Sequence, residues 1–183
     1  MAIGTKLNRS FRAFIEKQPV FFVATAAPAG RINLSPKGMG TLKILGDTKI
    51  RWLNLSGSGN ETAAHLRLSD RMTLMFCAFE GDALILRVYG TARATHPQDA
   101  GWVEKAAAFP SLAGSRQVID MEIDMVQTSC GSGVPIMDFK AQRGPDELVP
   151  YFEQMGPKGV LAYWEKKNTL SIDGYETGIF DED

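Results

Sequence analysis

A chain of 183 residues with 44% hydrophobic content can bury one ordinary domain core. Its formal charge of −1 argues against general electrostatic attraction to nucleic acid or to an anionic membrane. No apolar run is long enough to span a bilayer, "MAIGTKLNRSF" lacks the apolar centre of a signal peptide, and Cys77 and Cys130 alone suit neither a disulfide framework nor a zinc site, so a cytoplasmic home is expected.

In chain order, Asn8 or Ser10 caps a short first helix that carries Phe11, Phe14 and Ile15 on one face and stops at Pro19. Strand patterns follow over residues 20–27, 32–37, 41–45 and 49–55. The breaks "PAGR", "GMG" and "GD" are each short enough for a hairpin turn. A helix runs to about Leu68. "MTLMFCAF" then places Cys77 in a buried strand, and after "EGD" a long strand covers 83–95. A helix near 98–109 carries Trp102, Val103 and Ala106 on one side. Residues 117–128 alternate apolar and acidic side chains, the pattern of a half-buried strand. Strands joined by tight turns predict an antiparallel sheet closed into a barrel with helices outside it. "GPDELVPYFEQMG" and "PKGVLAYWEKKN" predict two helical pieces, the first interrupted by Pro150. The barrel thus spans about 19–138 and a helical C-terminal extension about 144–183, within one domain. Trp52 is expected in the core, and His65 and His96 at the surface. No metal site is indicated.

The stretch "WLNLSGSGNETAAHL", residues 52–66, passes from strand to helix through hydroxyls, amides and glycines. One reading is a turn in which Asn60 or Ser58 caps the helix. The other is an anion site. A helix N-terminus offers free N–H groups and partial positive charge, glycines admit a phosphate to the backbone, and Ser56, Ser58 and Thr62 add hydroxyls. The spacing matches neither the phosphate loop of nucleotide hydrolases nor the dinucleotide fingerprint.

"NLSPKG" (33–38), "SGSGNETAAHL" (56–66), "RMTLMFCAFEG" (71–81), "ILRVYGTAR" (85–93) and "QTSCGSGVP" (127–135) together resemble, in order and spacing, the pyridoxamine 5′-phosphate oxidase-related FMN-binding proteins. "KKNTLSIDG" is similar to that family's C-terminal segment. The resemblance implies a mainly β, six-stranded split barrel with peripheral helices, a homodimer, and one FMN in each of two intersubunit clefts. It places Ser56, Asn60 and Thr62 at the FMN phosphate, with Glu61 beside them. It places Ser35, Pro36 and Lys37 near the isoalloxazine, where a cation at Lys37 would stabilise negative charge on the ring. Pro36 equally suits a strand ending at a sheet edge.

The resemblance also implies that Ser129, Cys130 and Gly131 approach the flavin from the partner subunit, through backbone that glycine lets come close. Cys130 has no histidine near it in sequence to serve a nucleophile. Arg87 has three readings: a phosphate contact, a pairing across the dimer, or an inward structural arginine. The implied function is an FMN-dependent oxidoreductase acting on a small substrate, with a nicotinamide or oxygen as the second partner. A non-catalytic FMN carrier, store or redox sensor is the alternative, and a deazaflavin or haem is the alternative ligand. The ending "YETGIFDED" departs from the basic, proline-containing end of true pyridoxamine phosphate oxidases. Its carboxylates would repel a phosphorylated B6 substrate if they lay near the cleft.

Overall fold

The computed structural model describes residues 2–181. Its strands are β1 (Ile3–Gly4), β2 (Phe21–Thr25), β3 (Asn33–Lys37), β4 (Leu42–Ile44), β5 (Lys49–Leu55), β6 (Arg71–Cys77), β7 (Ile85–Thr95) and β8 (Ser115–Ser129). They form one antiparallel sheet in the order β3-β2-β6-β7-β8-β5-β4, with β1 added to β8. Six strands have five residues or more, the number the resemblance implies; the three-residue β4 falls within the strand pattern read at 41–45, and the two-residue β1 is additional.

The sheet is strongly curled. Three strands separate β2 from β5 along the sheet, which in a flat sheet is about 19 Å at the usual strand spacing. Yet Phe21 of β2 and Trp52 of β5 meet edge to face with ring centroids 6.0 Å apart. Phe21 also stacks on Phe76 at 5.9 Å. The barrel interior is filled by Val23, Ile50, Trp52, Leu74, Phe76, Leu86, Val88, Ile119 and Met121, all essentially inaccessible to solvent. A bulge between Tyr89 and Gly90 lets β7 follow the curl. A β-carbon at Gly90 would stand 1.9 Å from the Glu122 carbonyl oxygen, so the bulge requires glycine.

Helix α1 (Arg9–Lys17) begins as its sequence suggests, with Asn8 Oδ1 accepting from the Phe11 amide at 2.8 Å. Helix α2 (Glu61–Leu68) follows β5, and the short α3 (Trp102–Ala106) follows β7. Helix α4 (Leu148–Lys167) kinks at Gly156, where φ is 65°, just before Pro157. That kink is the divide between the two expected pieces. Pro150 interrupts nothing: it lies in the first turn, where an amide N–H has no intrahelical partner. Phe152, Val160 and Trp164 of α4 form a second core with Ile179.

Both histidines differ from expectation. His65 is buried on α2, where Thr25 Oγ1 lies 3.1 Å from its Nδ1. His96 is buried at the end of β7. Neither burial follows periodicity: His65 is the last of four consecutive buried residues of α2, and His96 follows the buried Thr95. The C-terminal tail is ordered as a turn bridged by Leu170 and Glu176, with Asp173 paired to Arg31 and Asp181 to Arg67. Glu182 and Asp183 of the acidic ending lie outside the described residues. Among the described residues, no helix is long and apolar enough to cross a membrane.

Candidate functional site

Strand β3 is an edge of the sheet, and Pro36, opposite Phe22 of β2, therefore costs no ladder hydrogen bond on its open side. The curl brings the last residue of β3, Lys37, to β5, where its Nζ donates to Asn54 Oδ1 at 3.0 Å. Between them opens a cleft of about 360 Å3, walled by the end of β3, by Arg116 of β8 and by the whole β5–α2 loop. It shares Pro36–Met39 and Leu148 with a larger groove of about 1790 Å3, whose wall includes Phe14, Phe79, Phe139 and Tyr151.

A buried chain of amides shapes the cleft wall. Asn54 Nδ2 donates to Gln117 Oε1 at 2.8 Å, and Gln117 Nε2 donates to Asn60 Oδ1 at 2.9 Å. Asn60 Nδ2 donates to the Asn168 carbonyl at 3.0 Å. Ser56 donates to the Gly114 carbonyl at 2.7 Å and accepts from the Trp164 indole at 2.6 Å. Both polar atoms of Asn60, and the hydroxyl of Ser56, are thereby engaged within the chain. Asn60 precedes α2 but makes no side-chain cap, because its amide serves Gln117 and Asn168 instead. Thr62 Oγ1 accepts from Asn33 Nδ2 at 3.2 Å and keeps its own hydroxyl proton to give.

The loop backbone is in the opposite condition. Among the described residues, the amide N–H groups of Gly57 through Ala63 have no acceptor within the chain, and residues 57–62 line the cleft. Two cations face the same space. Lys37 is pushed down to about 8, first by burial and then by Arg116. Arg116 is pushed down to about 10 by burial, partly offset by Tyr163 and Glu61. Among the described residues, Arg116 bonds only neutral oxygens, Gln117 Oε1 at 3.0 Å and the Gly59 carbonyl at 2.9 Å. Among the described residues, neither cation has a carboxylate at ion-pair distance. Glu61 is the single carboxylate of the lining, and its oxygens accept from the Ile172 amide at 3.1 and 3.2 Å.

Seven of the eleven expected site residues therefore meet at one place: Ser35, Pro36, Lys37, Ser56, Asn60, Glu61 and Thr62. Arg87, Ser129, Cys130 and Gly131 do not join them within this chain. Ser129 ends β8, whose start holds Arg116, about 40 Å away along the strand at the usual rise per residue. Arg87 Nη1 donates to Ser129 Oγ at 3.0 Å, as a structural arginine does. Gly131 is buried with φ 74°, and a β-carbon there would lie 2.7 Å from the Leu84 nitrogen, so its lack of a side chain answers a contact inside the chain. Cys130 is exposed, and hydrogen bonds from Ser132 first, then Gly131, hold its thiol below the usual range.

Sequence reasoning missed Arg116, Asn54 and Gln117. It also placed the acidic tail by its charge alone. Asp173 and Asp181 are held by arginines, and no residue from Tyr175 to Asp181 lines either cavity. The described part of the tail thus gives no ground for repulsion of a phosphorylated ligand.

A split barrel with a cation- and amide-lined cleft at its edge is the class that fold and site define. Comparison with known proteins specifies it further. The pyridoxamine 5′-phosphate oxidase family profile matches residues 7–130. The chain is 36% identical over 185 residues to the pyridoxamine 5′-phosphate oxidase family protein ustO of Aspergillus flavus, covering 92% of this chain and 74% of that one. The chain belongs to the pyridoxamine 5′-phosphate oxidase family. Among solved structures it is similar to HupZ of Group A Streptococcus, with TM-score 0.54 and 16% identity over 68% of this chain and 94% of that one. It is also similar to a putative pyridoxamine 5′-phosphate oxidase of Lactobacillus delbrueckii, with TM-score 0.52 and 18% identity over 67% and 93%. At such identities the likeness is one of fold.

Proposed function

We propose that the protein is an FMN-dependent oxidoreductase that acts on a small substrate as a homodimer. The observation that carries this reading is the row of amides from Gly57 to Ala63, unpaired among the described residues and set opposite the buried Arg116 and the half-buried Lys37, neither of which has a carboxylate at ion-pair distance among those residues. Such a site stabilises an anion with several acceptor oxygens, and a phosphate monoester supplies them. The backbone of residues 57–63, the Thr62 hydroxyl and Arg116 would hold the phosphate, while Ser56 and Asn60 shape the loop rather than touch the ligand. Lys37 would stand at the junction with the larger groove, where it favours negative charge on a ring system. FMN, when bound, supplies hydride exchange with substrate or nicotinamide. Phe14, Phe79 and Tyr151 give the groove the apolar walls that a planar ring requires.

His65 and His96 line neither cavity, which favours a phosphate-bearing flavin over haem. The homodimer rests on the family resemblance, in which Ser129–Gly131 reach the flavin of the partner.

The test is the visible spectrum of the purified protein, together with the mass of its extracted cofactor. A mass other than that of FMN overturns the reading. Anaerobic mixing with NADH, NADPH or pyridoxine phosphate, followed by flavin absorbance, then separates an enzyme from a carrier. Bleaching by one of these is expected, and failure of all three favours a carrier.

A further inference from the structure

The family profile ends at residue 130, yet the cleft wall is pinned by residues beyond it. The Trp164 indole N–H reaches Ser56 Oγ at 2.6 Å. Asn168 Nδ2 donates to the Gly57 carbonyl at 2.9 Å, and its carbonyl accepts from Asn60 Nδ2 at 3.0 Å. The Ile172 amide donates to Glu61 at 3.1 Å. Thr177, fully buried, locks Asn168 by donating to the same carbonyl at 2.6 Å.

A loop of sequence Ser-Gly-Ser-Gly-Asn has no apolar side chain to pack and pays a high entropy to hold one conformation. Its amides point one way only if something outside it fixes them. Here the outside contacts fall at 56, 57, 60 and 61, around the amides that would meet a phosphate. Asn168 is also kept at a cost, since its Oδ1 is buried without a partner among the described residues. An apolar residue would serve mere packing better.

We infer that Trp164 and Asn168, at the end of α4, are positioning residues for the anion-binding loop, so that the phosphate affinity of the cleft is set by the C-terminal helix. This rests on the FMN reading above. They act on the ligand's phosphate through the loop and on no other part of it, which separates them from residues that only stabilise the fold.

The test uses the full chain with Trp164→Phe, which keeps the ring and removes the N–H, and Asn168→Ala. Val160→Ala is the control: it lies on the same helix and in the same core as Trp164 but makes no bond to the loop. Dissociation constants for FMN and for riboflavin, which lacks the phosphate, are measured beside the melting temperature. Each loop variant is expected to weaken FMN about fivefold, the loss of one hydrogen bond, and to leave riboflavin unchanged. Val160→Ala lowers the melting temperature with the FMN-to-riboflavin ratio intact. An unchanged ratio in both loop variants, or an equal shift in the control, overturns the inference.

If the wild type binds neither flavin, the FMN reading falls by itself. The inference is then decided by the Gly57 and Gly59 amide resonances on adding inorganic phosphate. If the inference holds, they shift in both proteins with a midpoint at about fivefold higher phosphate in Trp164→Phe, and an equal midpoint or no shift in the wild type sinks it.

Discussion

Lys37 Nζ lies 3.0 Å from Asn54 Oδ1 and 5.5 Å from the centre of the Trp52 ring, so the ammonium of a half-buried lysine is held by an amide and an aromatic face. Neither partner carries a countercharge, and burial brings the lysine to about 8 from an ordinary value of 10.5. Between those values the unfolded chain binds more protons than the folded one, so the ligand-free protein gains stability as pH rises from 8 toward 10.5. Lys37→Met is expected to remove that gain, which urea unfolding across this range would measure. An anion in the cleft reverses the sign: it favours the charged lysine, so FMN binding weakens as pH rises through about 8 in the wild type. In Lys37→Met this pH dependence disappears and FMN binds about tenfold more weakly, the loss of one charged interaction.

Asn60 and Thr62 separate loop shape from ligand contact. Asn60→Ala strands the Gln117 amide N–H in a buried setting, leaves the Asn168 carbonyl with Thr177 as its one donor, and is expected to cost about 1–3 kcal/mol of stability. Thr62→Val leaves Asn33 with Thr25 as a partner. It should change the urea midpoint little and weaken FMN about fivefold through the lost hydroxyl. Equal effects of the two variants on stability would contradict this division.

Asp120 joins β8 to its neighbours through Arg51 at 2.6 Å and Lys105 at 3.2 Å. Burial alone would raise its carboxyl, but the hydrogen bonds from Arg51 and Lys105 outweigh burial and hold it below the usual range. A depressed folded value means stability that is present above about pH 4 and lost as pH falls through the folded value. Asp120→Asn should therefore be less stable than wild type at pH 7, with the gap closing in acid. Thermal melting at pH 7, 4 and 3 is the measurement.

The two cysteines report on the partner. Cys77 is buried, and burial raises its thiol, so alkylation of it should wait for unfolding. Cys130 is exposed in the protomer with a lowered thiol. If residues 129–131 sit against the partner's flavin, iodoacetamide should label Cys130 slowly in the holo-dimer and rapidly once dilution separates the subunits. Rapid labelling of a dimer with bound cofactor would place the segment outside the interface.

The readable parts of the chain were those with local causes. Residues 49–52 alternate polar and apolar, and α2 begins where glycines and Asn60 end the strand, so both elements lie where their sequence puts them. Asn8 caps α1 three residues before the amide it serves. Arg116 had no such signal. It and Gln117 are consecutive and both buried, which breaks the strand alternation that sequence reading relies on. Both join one network at the β5–α2 loop, Arg116 through the Gly59 carbonyl and Gln117 through Asn54 and Asn60, an arrangement that only the tertiary structure supplies. The same holds for His65, whose burial follows from the packing of α2 on the barrel. The roles of Ser56 and Asn60 were half legible: their place at the cleft followed from the motif, but their bonds to partners 108 residues away did not.

The bond between Asn60 and Asn168 also sets an order of events in the cell. A ribosome adding about 5–20 residues per second needs roughly 5–20 s to travel from the first of these residues to the second. For that interval the glycine-rich loop exists without the partner that holds its amides. On the proposal above, the loop's amides are set for a phosphate only after residue 168 has been made, so binding at the cleft would come late in synthesis.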